Sequence, residues 1–131
     1  MNILATKILG IKKDLSDKER WDKYHDHSDC SYNLMNEIAA LWCCASGDEK
    51  RYYPPAYKCI ARAALDYCEK EIKAHKLYVK GHMSNHDLDD PYPANVEDIR
   101  IVWAFEKICT HEQLMEVLDR AMRYANLSVF S

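Results

Sequence analysis

The sequence predicts an all-α fold, a single compact bundle of five or six helices, and three observations carry that expectation. Apolar residues recur at three- and four-residue intervals along nearly the whole chain. Only three glycines and four prolines punctuate 131 residues, so turns are few and regular elements long. No alternating apolar run competes for a strand before the last five residues. With 48% hydrophobic and 30% charged residues, the composition is that of a folded globule. A chain of this length fits one domain over residues 1–131, with a core that needs neither disulfide nor metal.

Leu4, Ile8, Ile11 and Leu15 form one stripe, which predicts a first helix over about residues 2–13. Ser16-Asp-Lys-Glu19 matches a capping box and predicts a short second helix carrying Trp21. Ser28, Asp29 or Ser31 then caps a third helix reaching about Ser46, its buried side reading Leu34, Met35, Ile38, Leu41, Trp42 and Ala45. Pro54-Pro55 opens a long fourth helix to about residue 79, with Gly81 as its stop. Residues 81–95 read as an acidic loop. Asn95 caps a fifth helix to about Cys109, so apolar on every side that it is expected to be central, with Trp103 in the core. Thr110-His-Glu-Gln113 is a second capping box and opens a sixth helix ending near Asn126.

The net charge of −3 hides an asymmetry. Residues 1–80 carry fourteen basic against twelve acidic side chains, and residues 81–131 four against nine. Such a chain has no global pull toward nucleic acid or an anionic membrane, whereas its acidic half could complement a basic groove on another protein. Lys7 interrupts the apolar N-terminal stretch, so no signal peptide is expected. The longest apolar run, Ile38–Ala45, is far short of the roughly 20 residues a membrane span needs. The six cysteines, with no Cys-x-x-Cys among them, then read as reduced thiols in the cytoplasm. Cys43 and Cys44 are two free thiols on a buried helix in this reading.

Polar chemistry is densest in Tyr24-His25-Asp26-His27-Ser28-Asp29-Cys30. His25, His27 and Cys30, with a nearby aspartate, are donor types that hold a divalent metal such as zinc. The same residues also suit a solvated helix end, where Asp and Ser cap the next helix. On a continuous fourth helix His75 falls on the apolar face, one turn beyond Glu71, and these two could join the first three. Glu116 and Asp119 make one Glu-x-x-Asp, half of the magnesium-binding pattern of MazG-type pyrophosphohydrolases. No Glu-x-x-Glu precedes it, and each carboxylate stands four residues before an arginine, the ordinary surface ion-pair spacing.

Tyr52 and Tyr53 crowd a loop beside Lys50 and Arg51, and tyrosine and arginine are enriched where proteins bind one another. Asp87, Asp89 and Asp90 add an acidic loop that could steer a basic partner. The leading expectation is therefore a cytoplasmic helical protein that binds a protein partner, without catalysis or cofactor of its own. In size and plainness it resembles small immunity proteins and inhibitors. The rival expectation is a metal-dependent hydrolase acting on nucleotides or phosphoesters.

Overall fold

A computed structural model describes residues 2–25, 32–80 and 95–127, and among these every regular element is a helix. In chain order they are α1 (Ile3–Asp14), α2 (Lys18–Tyr24), α3 (Leu34–Cys44), a 3-10 turn (Glu49–Tyr52), α4 (Tyr53–Ala74), α5 (Lys76–Lys80), α6 (Val96–Ile108) and α7 (His111–Leu127). The all-α bundle is as expected, but the described residues hold seven α-helices. The difference lies in the predicted fourth helix. It ends at His75, whose extended backbone (φ −69°, ψ 142°) separates α4 from α5.

Within α4 the chain also leaves helical geometry at Cys68 (φ −152°, ψ 52°), giving two straight stretches that meet at a kink. Neither proline nor glycine is nearby to announce it. The Cys68 thiol donates at 3.6 Å to the Ala64 carbonyl, the oxygen an uninterrupted helix would give to the Cys68 N–H.

Capping residues account for most of the boundaries. Thr110 and Gln113 form the reciprocal box, Gln113 N–H donating to the Thr110 hydroxyl at 3.2 Å and Thr110 N–H to Gln113 Oε1 at 2.9 Å. Asn95 accepts from the N–H groups of Glu97 and Asp98. At α2 the cap is Asp17, which accepts from Arg20 N–H at 3.1 Å, while Ser16 turns back to the Lys13 carbonyl. A carboxylate at the positive end of a helix outcompetes a hydroxyl one residue earlier. At α3 the cap is Asn33, later than expected.

α4 packs against α1, α5, α6 and α7, α1 packs along α7, and α6 also meets α3 and α5, so α4 is the hub. Buried Ala56, Ala61, Ala63 and Ala64 thin the α4 surface where its neighbours press closest. The same core holds Ile8 and Ile11 of α1, Val102 and Phe105 of α6, and Leu114, Val117 and Leu118 of α7. Trp103 is only half-buried, and the fully buried tryptophan is Trp21 on the short α2. α3 fully buries Leu34 and Ile38 alone, and Cys43 and Cys44 are exposed where a buried helix was expected. Among the described residues no helix is long and apolar enough to cross a membrane.

Candidate functional site

His25, the first residue of the predicted metal cluster, closes α2. Its ring stacks on Trp21, with centroids 4.5 Å apart and planes 7° from parallel, and its Nδ1 lies 2.7 Å from the Trp21 carbonyl. Tyr32 and His111 complete the aromatic group around Trp21. Nε2 of buried His111 is 2.8 Å from the Leu15 carbonyl, fastening α7 to the end of α1. His27 and Cys30 lie outside the described residues. His75 does not face the core of a continuous helix, because α4 kinks at Cys68 and stops before it; its Nδ1 accepts from Leu77 N–H at 3.1 Å and caps α5. Glu71 is exposed. Among the described residues no three His, Cys, Asp or Glu side chains are placed to hold a metal ion.

A pair of carboxyl groups sits nearby. Glu37 in the first turn of α3 hydrogen-bonds Asp14 at the end of α1, and Arg20 of α2 partly offsets the effect on Glu37. Burial first, then the Asp14 carboxyl, push Glu37 from 4.5 up to about 7. The folded protein therefore holds a proton through the interval from 4.5 to about 7 in which the unfolded chain has lost it. Stability contributed by this pair is full below that interval and is lost as pH rises through it. The melting temperature of the wild type relative to Glu37→Gln is expected to fall across this window and then level off. A wild-type-minus-variant difference that rises between these values would contradict the raised Glu37 carboxyl.

The tyrosines expected on a binding loop are core residues. Tyr52 is 8% and Tyr53 3% exposed, packed where the 3-10 turn meets α1 and α4. The Tyr52 hydroxyl accepts from Arg51 at 3.0 Å, and the Lys50 ammonium lies 3.9 Å from the Trp42 ring centroid. These two tyrosines are therefore unavailable as anchors without unseating the turn. Asp87, Asp89 and Asp90 fall outside the described residues. Burial pushes the Cys59 thiol up to about 11 and raises Cys68, the opposite of what an activated nucleophile needs.

A different face gathers the residue types that bind proteins. On α4, just before the kink, stand Arg62, Asp66 and Tyr67; on the last turns of α7 stand Arg120, Arg123, Tyr124 and Leu127. The Arg62 guanidinium lies 4.7 Å from the Tyr124 ring centroid and that of Arg120 lies 5.3 Å from Tyr67. The Tyr124 hydroxyl donates to Asp66. Tyr67 is 38% and Leu127 85% exposed. Asp66, Arg120, Arg123, Tyr124 and Leu127 line an open groove of about 260 Å³.

Sequence spacing pairs Glu116 with Arg120 and Asp119 with Arg123. The first pair forms, at 3.0 Å. Asp119 instead takes Lys12 of α1 at 2.6 Å, and Asp66, four residues beyond Arg62, is taken by Tyr124. Among the described residues Arg62 and Arg123 make no ion pair. The clue in the sequence was the recurrence of Arg and Tyr on two helices; nothing local said that they meet. Compared with protein-family models, with curated proteins and with solved structures, the chain finds no match.

Proposed function

We propose that this protein acts by binding another protein, and that the contact face is formed by the end of α4 before its kink and the last turns of α7. One observation carries the reading: two tyrosine rings, each with a guanidinium on its face, stand beside an exposed leucine on neighbouring helices. Tyrosine and arginine supply much of the energy at protein interfaces, because each brings a large flat surface and a hydrogen-bonding edge. Stacking also holds these long side chains in place before binding, which lowers the entropy lost on association. The setting in this reading is a reducing cytoplasm, in keeping with the five described cysteines all being free thiols.

The test is affinity purification of the full chain, identification of the retained protein, and titration of that protein against variants. Tyr67→Ala is expected to weaken the complex by about 2 kcal/mol, roughly thirtyfold in Kd, and Leu127→Ser by less. Both side chains are exposed, so thermal stability is expected to hold within about 0.5 kcal/mol. A partner whose affinity ignores both changes would move the interface elsewhere.

A further inference from the structure

The geometry points to an acidic segment of a partner protein as the occupant of the α4–α7 groove, with Arg123 of its lining and Arg62, beside it on the Tyr124 ring, receiving its carboxylates. This rests on the binding function proposed above and specifies its chemistry. A guanidinium stacked on a ring uses its π face and leaves its N–H edges directed away, ready for the two oxygens of a carboxylate. The Arg62 guanidinium lies over the Tyr124 ring, 4.7 Å from its centroid. Of the carboxylates that helical spacing would give these arginines, Asp119 pairs with Lys12 instead, and Asp66 accepts from the Tyr124 hydroxyl at the edge of the same groove. Two exposed arginines thus flank Tyr124 without an ion pair among the described residues, and Leu127 offers an apolar contact on the same groove.

The complement is a short stretch carrying two or more carboxylates around one apolar side chain. A nucleic-acid strand fits less well. Asp66 lines this groove and, with Glu69 and Glu71, the neighbouring one at the kink, where Lys70 and Lys73 alternate with them; such mixed signs suit a peptide, which can place its charges selectively, better than a continuous row of phosphates.

The experiment pans a phage-displayed library of random peptides against the full chain, then measures one selected peptide and a single-stranded oligothymidylate by titration. Selected peptides are expected to be rich in Asp and Glu around a Leu or aromatic residue. The chosen peptide is expected to lose about tenfold in affinity on the Arg62→Gln/Arg123→Gln double variant, with the melting temperature unchanged. Three results would each overturn the inference: a selection without acidic enrichment, a peptide affinity indifferent to the double variant, or oligothymidylate bound more tightly than the peptide with the same dependence on both arginines. A native partner weakened by Tyr67→Ala but indifferent to the arginines would leave the binding function standing and remove only its acidic occupant.

Discussion

Replacing Trp21 by alanine is expected to destabilise the protein by about 3–5 kcal/mol, the usual cost of deleting a fully buried aromatic side chain. α2 is seven residues long and buries nothing else completely, so its attachment depends on this one indole. The ring also organises its surroundings. His25 stacks on one face, Tyr32 meets it edge-on, and His111 lies tilted against it with its own bond to the Leu15 carbonyl. Without the indole, α2 loses its anchor and three neighbours lose a partner, and a site at the junction of three elements collapses poorly around a void. The melting temperature is expected to drop by roughly 10–20 °C. Trp103→Ala, at a half-buried position, is expected to cost about half as much. Urea titration of both variants checks the ranking, and a smaller loss for Trp21→Ala than for Trp103→Ala would mean that α2 is peripheral to stability.

The second large effect belongs to Glu106. It is 1% exposed on α6, and its Oε1 accepts from the Met35 N–H at 2.9 Å, one of the free donors in the first turn of α3. Asn33 satisfies the Asn36 N–H of the same turn, so the start of α3 is capped both by its own N-cap residue and from a neighbouring helix. α3 fully buries only Leu34 and Ile38, and Met35, Ala39, Leu41 and Trp42 pack against the core partly covered, so its first turn adds appreciably to its attachment. Glu106→Ala removes the acceptor and leaves a desolvated N–H, at a cost of about 2–3 kcal/mol. Glu106→Gln keeps an oxygen in place and is expected to cost about 1 kcal/mol. Amide hydrogen exchange locates the effect: α3 should exchange faster in the alanine variant while α1 and α7 keep their protection. Uniform acceleration across the bundle would show that the bond supports the whole fold instead of one helix.

How much could be read in advance is clearest at particular residues. The Thr110–Gln113 box and the Asn95 cap were legible because a cap acts within one helical turn. The stripe of Leu4, Ile8, Ile11 and Leu15 was legible for the same reason, since helical periodicity alone puts these residues on one face, and all four are buried. The kink at Cys68 was not, because it carries no proline or glycine and local preference favours continuing the helix. That miss moved His75 off the apolar face and into a cap on α5. Tyr52 and Tyr53 lie in a polar stretch with charges beside it, which reads as exposed in sequence and is covered only by the neighbouring helices. The candidate binding face was the least legible feature, since Tyr67 and Arg120 are far apart in the chain and meet only across α4 and α7.

Helix class, most helix boundaries and the main core stripes were determined by the amino-acid sequence itself, because they depend on groups within four residues of one another. Which side chains are covered, and which charges remain available, was decided only by tertiary structure. Asp119 stands one turn from Arg123 yet bonds Lys12, and Asp66 stands one turn from Arg62 yet bonds Tyr124. An exposed pair one turn apart is worth only a few tenths of a kcal/mol, so a better-placed group on a neighbouring helix readily displaces it. The fold thereby leaves two arginines at the surface, on a face that no reading of either helix alone would single out.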